Sequence, residues 1–148
     1  MLCSKPDLQR FLSSQERDYA TALAEVRNEE KVTYWVWYVF PQLKGLGKSG
    51  MSQYYGIDGK EEAKAYIKHP VLGARLREIT QALLDLPEGA DLRGVFGYID
   101  AKKVKSCMTL FHLASGEQIF MDVLNRYCEG HYCKQTLKMM AYCDFSHK

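Results

Sequence analysis

A chain of 148 residues, 47% hydrophobic and 26% charged, has the size and make-up of one globular domain. Such a chain buries roughly 68–70% of its unfolded surface without a disulfide or metal staple, which excludes an intrinsically disordered protein. Twenty basic residues against 18 acidic ones leave a net charge of +2, a weaker and less clustered excess than nucleic-acid binding calls for. No apolar run approaches the roughly 20 residues of a membrane span. The first residues turn charged by Lys5, without a hydrophobic signal core, so a cytoplasmic protein is expected.

Taken in chain order, most of the sequence reads as helix. Leu8, Phe11, Leu12, Gln15, Tyr19, Ala22, Leu23 and Val26 follow an i, i+3, i+4, i+7 stripe. This predicts a helix over about residues 7–28, capped by Asp7, with a possible break at Ser13 and Ser14. Residues 32–40 are β-branched and aromatic, and propensity alone makes them a strand. No partner strand is evident, so a short buried helix remains the alternative. A helix is predicted from Asp58 to His69, and another with Pro70 as its first residue and Leu72, Leu76, Ile79 and Leu83 inside. Pro87-Glu88-Gly89 is a turn. Asp100 is expected to cap a further helix bearing Val104, Cys107, Met108 and Phe111. Ser115 and Gln118 spell a capping box for the next helix, Gly130 ends it, and a last helix carries Leu137 and Met140. One all-α domain over residues 1–148, a compact orthogonal packing of about six to eight helices, is the simplest assembly.

Three patterns bear on chemistry. Cys128, His131, Cys133, Cys143 and His147 crowd the C-terminus, but Cys133 and Cys143 fall ~15 Å apart along one helix, too far for a tetrahedral zinc site. No metal and no cofactor are therefore expected. An odd number of cysteines, five, suits reduced thiols. Residues 42–49 nearly spell a phosphate-binding loop, yet Gln42 stands where its first glycine belongs. Gly45, Gly47 and Gly50, with Lys48, Ser49 and Ser52, still allow a loop that cradles an anion. On the helix from Asp100, Lys103, Ser106 and Thr109 share one side, a row suited to an anion or sugar. His69 and His112 are isolated and read as structural.

Several stretches occur together in a specific order: Asp7-Leu-Gln-Arg-Phe11, Trp35-Val-Trp37-Tyr-Val-Phe-Pro41-Gln42, Gly45-Leu-Gly47, and Ser52-Gln-Tyr-Tyr55-Gly-Ile57. They continue with His69-Pro70, Gly73, Arg75-Leu76, Phe96-Gly97, Asp100, Lys103, Ser106 and Met108-Thr109-Leu110-Phe111. Over nearly its whole length the chain resembles the bacterial family called domain of unknown function 1810. This chain has Tyr34 where that family commonly has His. The resemblance implies a mainly helical fold, which tips residues 33–42 towards helix. It implies no activity. A fainter similarity links the chain to ADP-ribose-processing N-glycosidase domains.

Trp35, Trp37, Gln42, Ser52, Tyr55, Lys103, Ser106 and Thr109 lie within the matched stretches and are unlike ordinary core residues. They are expected to line a pocket with Lys48 and Ser49, suited to a small phosphorylated ligand of nucleotide or ADP-ribose type. A hydrolase acting on that ligand would use Asp100 or Lys103 as its acid–base group. The alternative is a non-catalytic ligand-sensing or protein-interaction module.

Overall fold

A computed structural model describes residues 7–146, with side chains up to Ala141. Among the described residues nine helices form and no strand does. They are α1 (Gln9–Arg27), α2 (Val36–Val39), α3 (Gly50–Tyr54), α4 (Gly59–Lys68), α5 (Leu72–Leu84), α6 (Leu92–Phe96), α7 (Tyr98–Ser115), α8 (Gln118–Tyr127) and α9 (Lys134–Ser146). The all-α expectation holds. The count exceeds six to eight because α2, α3 and α6 are pieces of four or five residues, too short to show a periodic stripe. No helix of the described residues is long and apolar enough to cross a membrane.

Local chemistry explains the boundaries. α1 runs through Ser13 and Ser14 without a break, because the Ser14 hydroxyl is paired with Tyr55 Oη at 2.6 Å across the core. Leu8, not Asp7, is its N-cap, although Asp7 Oδ1 accepts from Gln9 N. Pro70 lies in a turn ahead of α5 rather than inside it. His69 Nδ1 accepts the backbone N–H groups of Val71 and Leu72 there. Gly97, at φ +83, ends α6 and starts α7, so Asp100 is the third residue of α7 and not its cap. A side chain at that φ would be strained, which suits Gly to this abrupt change of direction. The expected capping box is absent: Ser115 closes α7 by donating to the Phe111 carbonyl, and Gln118 Nε2 donates to Asp122 Oδ1 instead of reaching back to Ser115.

The aromatic segment is neither the strand nor the longer helix expected. Only Val36–Val39 is helical, and Trp35, Tyr38 and Phe40 are buried within and beside that single turn. A lone parallel bridge between Leu43 and Ile57 takes up some of the neighbouring backbone. Elsewhere the packing is helix on helix. α4, α6, α8, α9 and α2 lie against α7, and α5 joins α1 to α8. One hydrophobic core results, running from Phe11 and Tyr66 through Phe111 to Phe120.

The irregular backbone ahead of α2 is held by one carboxylate. Glu25, on α1, accepts from Val32 N, Thr33 N, Thr33 Oγ1 and Trp35 Nε1, all at 2.8–3.1 Å. Burial pushes its pKa up, but the hydrogen bonds from Thr33, Trp35 and Val32 prevail and leave it below the usual glutamate value. A carboxylate with a lowered folded pKa stabilises above its unfolded pKa, about 4.3, and loses that contribution as pH falls through the folded value. Glu25→Ala should cost about 2–3 kcal/mol in urea unfolding at neutral pH. The difference from wild type should shrink below about pH 4.

Candidate functional site

Trp37 stands between two concavities. The first is a crevice whose walls include Gln42, Gly47, Ser52 and Tyr55. Its free volume is about 10 Å³, room for one water-sized group. The second is an open groove of about 430 Å³ formed by Tyr34, Trp37, Phe96, Tyr98, Ile99 and Asp100. That volume lies within the range of small-molecule sites. Tyr34 is 79% exposed, Ile99 68% and Tyr98 53%, so the rim is aromatic and apolar.

Charge gathers beside the groove. Asp100 Oδ2 meets Lys31 Nζ at 3.0 Å, and Asp100 Oδ1 meets Lys103 Nζ at 3.5 Å. The Lys31 ammonium lies 5.4 Å from the Tyr34 ring centroid and 5.5 Å from that of Trp35. Lys103 Nζ lies 4.8 Å from that of Trp37. Each lysine is thus placed by a carboxylate and an aromatic face together. One donor is left unmet: Trp37 Nε1 is buried and has no hydrogen-bond partner.

The residues expected at the site separate into groups. Trp37, Gln42, Ser52 and Tyr55 do meet, around the small crevice. Tyr55 gives its hydroxyl to the pair with Ser14. Asp100 lines the groove, and Lys103 reaches Trp37. Trp35 is instead 1% exposed and spends its N–H on Glu25. Ser106 and Thr109 do not join the site. Ser106 is bonded to Thr136 at 2.6 Å, while Thr109 donates to the Lys105 carbonyl and accepts from Cys133 N. These two hydroxyls are buried staples between α7 and the start of α9.

The glycine loop also closes on itself. Ser49 Oγ accepts Ser52 N to cap α3 and donates to Ser52 Oγ. A Cβ on Gly47 would stand 2.4 Å from Ser52 Oγ, so glycine there permits this tight fold. Lys48 is exposed, clear of both concavities. His112 is paired with Tyr132, in keeping with a structural role. Among the described residues no group of three or more His, Cys, Asp or Glu side chains is placed to hold a metal. The side chains of Cys143 and His147 lie outside the described residues.

Lys31, Phe96, Tyr98 and Ile99 were not legible as site residues. Lys31 precedes the aromatic run as an ordinary surface-type lysine, and only the fold brings it to Asp100. Phe96 and Tyr98 flank Gly97 and look like any apolar turn.

Comparison with known proteins places the chain. The family described as protein of unknown function (DUF1810) matches residues 5–140. The chain is similar to the conserved hypothetical protein Rv1873 from Mycobacterium tuberculosis, seen in a crystal structure at 1.38 Å. The two are 39% identical with a TM-score of 0.89, over 91% of this chain and 96% of the other. No curated protein matches significantly.

The two ion pairs of Asp100 differ in burial and length, which gives a test. The Lys31 side chain is only 7% exposed, and Asp100→Ala would leave its ammonium without a carboxylate. That substitution should cost about 2–4 kcal/mol in urea unfolding. Lys103→Ala, which gives up the longer contact, should cost less than about 1 kcal/mol.

Proposed function

The chain belongs to the DUF1810 family, and from that premise we propose that it binds a small planar ligand carrying an anionic group, of nucleotide or ADP-ribose type, in the aromatic groove beside α2 and the first turn of α7. The observation that carries this is the meeting of four aromatic side chains, Tyr34, Trp37, Phe96 and Tyr98, with the Lys31–Asp100–Lys103 cluster. Rings of a ligand stack on aromatic faces regardless of base identity. Lys103 sits on one of those faces and would meet the ligand's negative charge.

Binding suits this geometry better than hydrolysis. Asp100 is the one carboxylate lining the groove among the described residues, and both of its oxygens already face ammonium groups. A general base needs a free oxygen within hydrogen-bond reach of the proton it takes. A ligand-sensing module is therefore preferred to an enzyme. A flat protein partner is less apt, because the aromatic side chains surround a concavity.

Fluorescence tests the proposal directly. Of the two tryptophans, Trp35 is buried, so quenching by AMP or ADP-ribose would report Trp37. Saturable quenching is expected. Trp37→Ala should weaken binding, read by calorimetry, roughly 5- to 150-fold, the worth of one stacked base. Lys103→Ala should weaken it roughly 10- to 150-fold. Absence of saturable binding, or binding indifferent to both substitutions, would overturn the proposal. Turnover of the bound compound that disappears in Asp100→Asn would make the chain a hydrolase after all.

A further inference from the structure

Tyr98 also borders a second cavity, of about 360 Å³, outside the groove. Three cations line it. Arg93 comes from α6, and Lys102 and Lys105 stand three apart on α7, on one side of that helix. Among the described residues none of the three is ion-paired with a carboxylate. Two of them lean on the same ring: the Arg93 guanidinium carbon and Lys102 Nζ lie 4.7 and 4.3 Å from the Tyr98 centroid. The carboxylate lining the cavity, Asp91, has Oδ1 engaged by Gly94 N at 2.6 Å, where it caps α6. The neighbouring Lys102 ammonium holds the Tyr98 hydroxyl's pKa below its usual value.

Like charges gathered around one concavity repel, and an anion relieves that repulsion. Arginine offers a planar fork to two oxygens, and lysine a point charge to a third. A phosphoryl group has enough oxygens for all three cations, whereas a carboxylate has two. We propose that this cavity is a binding site for a phosphorylated anion, held by Arg93, Lys102 and Lys105 against Tyr98. The site is separate from the aromatic groove and stands whether or not the groove takes a planar ligand. If both are real, the shared Tyr98 lets one elongated molecule contact each of them.

Inorganic pyrophosphate is the probe, titrated at about 0.15 M ionic strength so that diffuse attraction is screened. Binding is read by calorimetry and by amide chemical shifts. One saturable site is expected, with the largest shifts at Arg93, Tyr98, Lys102 and Lys105. Arg93→Ala/Lys102→Ala should weaken it about tenfold or more, and Lys105→Ala should weaken it several-fold. Lys44→Ala/Lys68→Ala, which removes two exposed cations elsewhere, should change nothing. Tyr34→Ala, at the groove rim, should leave pyrophosphate binding intact while impairing AMP, so the two sites fail independently. If the alanine pair is unstable, Arg93→Gln/Lys102→Gln replaces it. No saturable binding, equal loss in the Lys44/Lys68 control, or shifts centred elsewhere would overturn the proposal.

Discussion

Helix α7 is buried on nearly all sides from Val104 to Phe111, and the rest of the molecule is arranged by the need to cover it. A helix that buries most of its faces cannot lie on a surface, so neighbours must close over those faces. α4, α8 and α9 cover its length, and α6 and α2 reach it as short pieces. Its two buried hydroxyls, Ser106 and Thr109, are not exceptions. Each meets its hydrogen-bonding need at the start of α9, which turns a polar cost into a fixed helix contact. The same packing leaves the first turn of α7 projecting from the core, where Tyr98 and Ile99 are exposed and Asp100 is half-buried.

That projecting turn organises both cavities. On one side, Asp100 and Lys103 meet the irregular segment ahead of α2 and form the aromatic groove. Near Tyr98, Lys102 and Lys105 meet α6 and form the basic cavity. The groove also depends on a segment with little regular structure of its own. Residues 28–35 are pinned by Glu25 and by the bond from Lys31 N to the Val95 carbonyl. Lys31 is then drawn towards Asp100 and held over two rings. The pinning that orders the loop therefore also sets the charge beside the groove.

How much was legible differs by element. The inner stripe of α1, the core positions of α5 and the apolar face of α8 were visible because helical periodicity repeats over several turns. The segment around Trp35 was not. Its β-branched and aromatic residues signal burial, which strand and buried helix share, and tertiary contacts left just one turn of helix. Asp100 as a cap and Ser115–Gln118 as a capping box were sound local readings that lost to Gly97 and to the Gln118–Asp122 bond. Of the site residues, Trp37, Gln42, Ser52 and Tyr55 were grouped correctly in space, but around a crevice far smaller than the groove beside it.

The sequence by itself determined the helical class, the buried stripes and the family, because each rests on residues near one another along the chain or on their order. Tertiary structure alone decided which polar groups face a cavity. Ser106 and Thr109 share a helix side with Lys103, yet the docking of α9 buries them while Lys103 stays half-exposed against Trp37. Lys31 and Asp100 carry no mark of each other in the sequence. Their ion pair exists because an irregular loop, held by Glu25, is folded against the first turn of α7, and contacts between distant segments have no period to read.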